Sequence, residues 1–496
     1  MKRALAPVGV FVILIASYAF FWHARDWNIS SRLMLTYALA DRGTVQINGL
    51  EDHTRDRARV GDRYYSDKLP GYSLLAIPSY AVGKLLFKLP AHPLDQKGEG
   101  FTHWWPDYWI TLGTSGVLSA LCGALLVIVS RRVGCSDRLA AIVGLIYGLA
   151  TPAYVYATLS YGHQATAFLL LAGYVTIDAI ESTIRPMMAS ALAGFLVASG
   201  PLVELQVAPS ALVLVAYFLF VLMKKRLVKR CFAGFAIGCL VPAIALIAYN
   251  LIAFGSPWDM GYFHEDLQQF QDVHSSQNPL GMRSPSWSRI GDLLWNEHRG
   301  LIWFAPVVVL SPIGWVLLAI QRRWSLCWVS LLVSCSVLLV NLSYPEWTGG
   351  WSTGPRLLVP LLPFAMIPIA AMLAAKPRIA TPAVTALALA GFIAMTLFQG
   401  VGGRIPPAPE NVAIDSPYAH PLRQVVWPMW RGDPLPPWKE RVRFDRNLVS
   451  KAWGKSIDDL APGRRWMQFL PLIVGQILSI SLLVTVLGSK IKIHDR

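Results

Sequence analysis

An all-α polytopic membrane protein with about twelve transmembrane helices, and amphipathic helices on its outer surface, is the fold class that three observations predict. Hydrophobic residues make up 54 % of the 496 residues and charged residues only 15 %, against roughly 25 % in a soluble domain. The apolar residues come in runs of about twenty, which span roughly 30 Å of hydrocarbon at about 1.5 Å per residue. The chain carries 19 tryptophans, and many stand at the ends of those runs, where an amphipathic ring is stable among lipid headgroups.

The net charge of +15 sits in short clusters between apolar runs. That is the positive-inside pattern and not a groove for nucleic-acid phosphates, and no zinc, helix-turn-helix or RNA-binding motif accompanies it. Met1-Lys2-Arg3 precedes an apolar stretch from Leu5 to Trp22 that lacks a small-x-small cleavage site, so it reads as a retained first helix. The other basic clusters are Arg131-Arg132, Arg138, Lys224 to Arg230, Arg322-Arg323, Lys376 to Arg378 and Lys490 to Arg496. Placing all of them in the cytoplasm gives spans at 6–22, 109–130, 138–157, 163–181, 187–203, 206–223, 231–254, 301–320, 325–342, 357–375, 380–399 and 468–488, with both termini inside. Counting Tyr72 to Phe87 as a further span would invert everything after it. This stretch is short and contains Pro78, Lys84 and Lys88, so it is expected to lie on the outer surface.

Three parts follow: a core at 1–399 with an outer loop at 23–108, an outer-face segment at 400–467, and a last span with a basic cytoplasmic tail at 468–496. The setting is a bacterial cytoplasmic (inner) membrane. The six cysteines fall in apolar runs or basic loops, so no disulfide framework is expected in the outer loops.

The first outer loop is the most acidic part of the chain. Ile29 to Ala40 has helical spacing and ends at Asp41-Arg42-Gly43, a C-cap pattern, so a short amphipathic helix on the membrane is expected. Glu51, Asp52, Asp56, Asp62 and Asp67 follow, and Lys68 comes directly after Asp67. Such a cluster is either a solvated loop or a catalytic base with cation-binding groups.

The order of these features resembles the membrane-embedded (C-type) glycosyltransferases that use polyprenyl-phosphate sugars, among them the protein O-mannosyltransferases and lipid A aminoarabinose transferases. The resemblance rests on a first span, an acidic outer loop with an amphipathic helix, an aromatic–acidic–Lys–Pro element and then an apolar helix. Here that element is Tyr64-Tyr65-Ser66-Asp67-Lys68-Leu69-Pro70-Gly71. The pattern covers the first two hundred residues, and beyond them only the layout matches. It implies transfer of a sugar from a polyprenyl-phosphate donor to a glycan, lipid or protein acceptor on the outer face of the membrane, with a loop carboxylate as general base. The family places a catalytic Asp, usually as Asp-Glu, shortly after the first span. Counting back from Gly43, the matching positions are Asn28 and Ile29, and Asn cannot act as a base. The sequence looks closer to a branch with an Asn–Arg pair, Asn28 and Arg32, and a Thr-x-Asp, Thr54 and Asp56. The expected base is then Asp56 or Asp67. Lys68 would pair with phosphate or orient Asp67, and a divalent metal ion would be held by Asp67 and His163.

The remaining outer turns supply further substrate-binding candidates. His163 follows Ser160-Tyr161-Gly162, where it could hydrogen-bond a sugar or serve as a structural residue at a helix start. Glu204 ends its span, and a carboxylate at membrane depth faces protein or water. Tyr262 suits stacking on a sugar or anchoring in the interface, and Arg299 stands where a lipid phosphate would lie. Arg356 closes the aromatic-rich turn Tyr344-Pro345-Glu346-Trp347-Thr348-Gly349-Gly350-Trp351-Ser352-Thr353-Gly354-Pro355 at a helix start, which makes it the foremost phosphate ligand among the arginines.

A secondary transporter is the main alternative. Transporters concentrate charge in broken helices near the midplane and repeat their halves. Here the spans are nearly charge-free and no repeat is visible, which favours the enzyme. A polymerase or ligase of lipid-linked glycans and a non-catalytic relative complete the set.

Overall fold

The structure, a computed structural model, describes residues 2–92, 103–225, 228–271, 273–274, 278, 281–406, 420–434 and 442–488. The basic run at 490–496 and much of the expected outer-face segment therefore lie outside the described residues.

The chain begins with α1 (Lys2–Ala19) and a two-residue strand β1 (Phe21–Trp22). Next come α2 (Trp27–Arg42), a hairpin of β2 (Arg57–Val60) and β3 (Arg63–Ser66), and α3 (Gly71–Phe87). The rest is mostly helix: α4 (Trp105–Val133), α5 (Asp137–Leu149), α6 (Ala153–Tyr156), α7 (His163–Ser182), α8 (Pro186–Val203), α9 (Leu205–Met223), α10 (Lys229–Phe254), α11 (Pro306–Ile320), α12 (Trp324–Ser343), α13 (Arg356–Ala375) and α14 (Pro377–Gly400). Strand β4 (Arg446–Asn447) and α15 (Pro462–Gly488) close the described chain.

Nine of these helices are long and apolar enough to cross a membrane, and two more, α1 and α11, are apolar but shorter. The twelfth expected span, 138–157, is broken. It forms the 13-residue α5 and then, after Thr151-Pro152, the single turn α6. The break follows from Pro152, which has no N–H to give and crowds the carbonyl one turn back. Tyr72 to Phe87 forms α3, which is not among the membrane-crossing helices. Helix α2 runs two residues beyond the expected range at each end and stops at Gly43 in the left-handed region, φ 63°. It does not lie on a surface as expected. Every residue from Ile29 to Ala38 is buried, because Ser30, Ser31 and Thr36 present small hydroxyl-bearing faces that other segments pack against.

Backbone contact through small residues ties the bundle together. A Cβ at Gly194 or Gly238 would stand 2.1 Å from the Phe235 carbonyl oxygen or 1.9 Å from that of Ala191, so α8 and α10 touch backbone to backbone. Gly71 meets the Leu202 carbonyl in the same way, which sets the start of α3 against the end of α8. Helix α13 is the centre of the bundle, with 94 % of its apolar window buried, and α15 is peripheral. All six cysteines are free thiols.

The long connections gather at one end of the bundle. Residue 21 pairs with 447 and 22 with 446, Ala58 bridges to Glu265, and Ser352 bridges to Ile405. Asp445 locks the closing segment to the end of α1. It accepts from the Ala24 N–H at 3.0 Å and pairs with His23 at 3.2 Å, with Arg404 at 3.2 Å and with His103. Burial pushes its proton affinity up, but the two histidines outweigh this and hold it well below the usual carboxylate range.

Candidate active site

The hairpin explains how Asp56 and Asp67 meet. Arg57 pairs with Ser66 and Val60 with Arg63 around a Gly61-Asp62 turn, with Gly61 at φ 60°. The residues just outside the open end of the ladder are Asp56 and Asp67. Lys68 follows immediately, and its ammonium pairs with Asp56 at 3.2 Å and with Asp67. The segment around Glu265 adds to the outer edge of β2, with Arg59 N–H donating to the His264 carbonyl at 2.8 Å and Asp266 N–H to that of Arg57 at 3.0 Å. Gly261 lies so close to Asp67 that a Cβ would stand 3.0 Å from its Cα, so only glycine fits. Tyr262 comes next, stacked on His274 at 4.9 Å.

One lysine thus stands among three buried carboxylates. Burial raises the proton affinity of Asp56, and Lys68 offsets this only in part. Glu265, only 4 % exposed, is pushed up to about 9, by burial and then by the charge of Asp67. Burial opposes the charge on Lys68, but Asp56 and Asp67 outweigh it, so Lys68 stays protonated well above its ordinary range. Asp67 is fully engaged, taking the Ser31 hydroxyl at 2.8 Å as well as Lys68. Lys68 takes Asp56 through Oδ2, and among the described residues no hydrogen bond reaches its Oδ1.

Ser31 joins this cluster to a second one on the same helix. Arg32 bonds the Asn28 side chain one turn back and reaches Glu204 at 3.5 Å. Glu204 also takes His163 Nδ1 at 2.9 Å, and His163 stacks on Tyr161 at 5.6 Å and 7°. The Tyr161 hydroxyl donates to Asp26 at 2.5 Å. Asp26 caps α2 by accepting from the Ile29 N–H at 2.9 Å and lies 3.7 Å from Arg404.

Arg356 stands over the Tyr161 ring, 5.0 Å from its centre. No hydrogen bond joins its guanidinium to the described residues, and its Nε is buried without a partner, as is His163 Nε2. Asp26 and Asp56 are both within electrostatic reach of it. Gly349, at φ 71°, packs on its side chain with room for no Cβ.

Arg299 is the expected site residue that stands apart. Its side chain is buried and donates to four carbonyls, those of Ser352 at 2.7 Å, Gly350 at 3.0 Å, Ile405 at 3.0 Å and Pro406 at 3.2 Å. It holds the glycine-rich turn that carries Arg356, with both terminal nitrogens committed to those carbonyls. The expected metal pair is also not assembled. Asp67 is bonded to Ser31 and Lys68, whereas His163 is bonded to Glu204, and a lysine ammonium occupies the carboxylate that would ligate. Among the described residues no three His, Cys, Asp or Glu side chains converge on a common point. These residues do not fit a preformed metal centre.

Sequence reasoning missed Asp26, Tyr161 and Glu265. Asp26 had a signal: an aspartate directly before a helix, placed to accept the N–H three residues on. Asn28, which the count from Gly43 selected, lies two residues inside the helix.

No family model and no curated protein matches the chain. Among solved structures it is similar to ArnT from Cupriavidus metallidurans bound to undecaprenyl phosphate, with 16 % identity over 98 % of this chain and 75 % of that one, at a TM-score of 0.44. It is also similar to the Archaeoglobus fulgidus oligosaccharyltransferase in complex with Zn and sulfate, with 12 % identity over 79 % of this chain and 52 % of that one, at a TM-score of 0.46. A further match is the archaeal oligosaccharyltransferase AglB from Archaeoglobus fulgidus, in complex with an inhibitory peptide and a dolichol-phosphate. There the identity is 11 % over 78 % and 55 %, and the TM-score is 0.42.

Proposed function

We propose that the protein is a glycosyltransferase that moves a sugar from a polyprenyl-phosphate carrier to an acceptor hydroxyl, or to the phosphate of a lipid or lipid-linked glycan. The site would face the outer side of a bacterial inner membrane, with both termini in the cytoplasm, as the basic clusters require. The observation that carries this reading is Arg356: a guanidinium without a hydrogen-bond acceptor among the described residues, over an aromatic ring, with two carboxylates in reach. An arginine whose Nε is buried, and whose guanidinium has no hydrogen-bond acceptor among the described residues, suits an anionic ligand, and the fork of its N–H groups matches a phosphate.

The chemistry needs a base for the acceptor proton and a cation for the leaving phosphate. The acceptor oxygen attacks the anomeric carbon, its proton passes to a carboxylate, and the anomeric C–O bond breaks with its electron pair leaving on the phosphate. A single displacement of this kind inverts the anomeric centre. Asp56 suits the base, because no described residue bonds its Oδ1 and its proton affinity is raised. Asp67 orients Lys68, and Lys68 and Arg356 share the phosphate charge. Asn28, Arg32, Glu204, His163 and Tyr262 form the wall that a sugar would meet. A second reading makes Asp26 the base, favoured by its place at the start of the helix after the first span.

Turnover of a polyprenyl-phosphate sugar in nanodiscs tests both readings. With Asp56 as base, Asp56→Asn loses turnover and keeps donor binding, and Asp26→Asn retains partial turnover. The reverse result moves the base to Asp26. Full turnover in both variants overturns the carboxylate mechanism, and substrate counterflow in vesicles without turnover would point to a transporter.

A further inference from the structure

A cavity of about 510 Å³ lies away from this site, where the ends of α14 and α15 meet the closing segment. Thr396 and Leu397 from the last turn of α14, Phe469 and Ile473 from the first turns of the last apolar helix, and Trp430 and Trp466 form its walls. The volume falls within the range of small-ligand pockets, about 300–1,000 Å³. The depth is that of a membrane interface, because two apolar helices end there and tryptophans cluster around it. Trp430 is buried and packs edge-on against Phe469, 5.3 Å between ring centres. Trp427 and Trp466 are about half exposed at the mouth.

Charge at the rim gives the cavity a polarity. Gly432 packs against Pro462, so the helix end carrying Arg431 lies beside the turn carrying Arg464 and Arg465. Arg431 lines the cavity, 3.2 Å from Asp433, and both are substantially exposed. Arg465 is held inward by the Met429 carbonyl, and its Nε is buried without a partner. Arg431 and Asp433 thus line the mouth of an apolar chamber, Arg464 follows the lining residue Gly463 and is exposed, and Arg465 turns away toward Phe444 and Asp458. Below the mouth, Val474, Ile477 and Leu478 continue an exposed apolar face down α15, along which a chain could enter from the bilayer.

We propose that this cavity binds an anionic membrane phospholipid, with an acyl chain between Leu397, Phe469 and Ile473 and the phosphate at Arg431 and Arg464. Apolar walls alone would take any lipid, so the arginines are what select an acidic headgroup. The bound lipid would brace the closing segment against the last helix, independently of the sugar-transfer site.

Native mass spectrometry of the full chain tests this after reconstitution with phosphatidylglycerol or phosphatidylcholine of identical acyl chains. Wild-type protein should retain one phosphatidylglycerol in preference to phosphatidylcholine. Arg431→Gln and Arg464→Gln should each weaken that preference about fivefold, and both residues are exposed enough to be replaced without disturbing the core. Leu397→Trp should fill the chamber and abolish retention of either lipid. Equal retention of both lipids by wild type, or unchanged retention in Leu397→Trp with normal thermal unfolding, overturns the proposal. Displacement of the phospholipid by one equivalent of polyprenyl phosphate also overturns it, because the cavity would then be a carrier site.

Discussion

Glu265→Gln isolates the charge imbalance around Lys68. In the folded protein Glu265 holds its proton up to about 9, against 4.5 for the ordinary group. A group whose folded proton affinity is raised contributes stability at low pH and loses it as pH rises through the folded value. Between those two values the folded state binds one proton more than the unfolded chain, so wild-type stability falls by about 1.4 kcal/mol per pH unit from this group. From pH 6 to pH 8 the loss is on the order of 3 kcal/mol. Glutamine keeps the shape and cannot titrate, so the variant lacks this slope. Chemical unfolding of both proteins in the same detergent, at several pH values, cancels all groups they share. The stability of Glu265→Gln relative to wild type should rise by roughly 3 kcal/mol over that interval. A difference that stays flat, or that shrinks as pH rises, would refute the reading of three carboxylates around one ammonium.

Other perturbations address the site more directly. Arg356→Lys keeps the charge and loses the planar fork, so turnover of a lipid-linked sugar should fall on the order of 100-fold with little change in thermal unfolding. Arg299→Lys gives up charged hydrogen bonds to buried carbonyls and should destabilise the fold by about 3 kcal/mol, read as a lower unfolding midpoint. Gly349→Ala forces a side chain into the left-handed region and against Arg356. Its unfolding cost should be about 1 kcal/mol, and its loss of activity should be disproportionately larger. With Asp56 as base, the acidic limb of the kcat/KM profile should lie above the ordinary aspartate range, because activity falls as the raised group takes up its proton.

The membrane class and most of the helices were legible in the sequence because apolar run length is a local property. The broken helix at Thr151-Pro152 was also written locally, but the run continues in hydropathy across the proline and hides the break. Lys68 and its two aspartates were recognisable as chemistry. Their meeting depends on the two-residue Gly61-Asp62 turn between Arg57–Val60 and Arg63–Ser66, a hairpin signal that went unread beside the louder acidic pattern. Glu265 could not have been placed. Its partner Ala58 lies more than two hundred residues earlier, and only the folded loops bring them side by side. Arg299 shows the opposite failure. An arginine before a span looks like a phosphate ligand until its four carbonyl partners are known.

The pairing of Phe21 and Trp22 with Asn447 and Arg446 sets an order of events in biosynthesis. Beneath it, Gln476 on α15 donates to Ser17 on α1 at 2.9 Å and to Tyr154 at 3.1 Å. Helices α1 and α15 are therefore neighbours, and the seam between them cannot close before residue 476 has been made. Before residue 445 is made, His23, Ala24, His103 and Arg404 lack Asp445 as their common acceptor. A nascent chain that stalls before residue 445 would hold Asp56, Asp67, Lys68 and Arg356 yet lack the clasp that fixes the segment after α1.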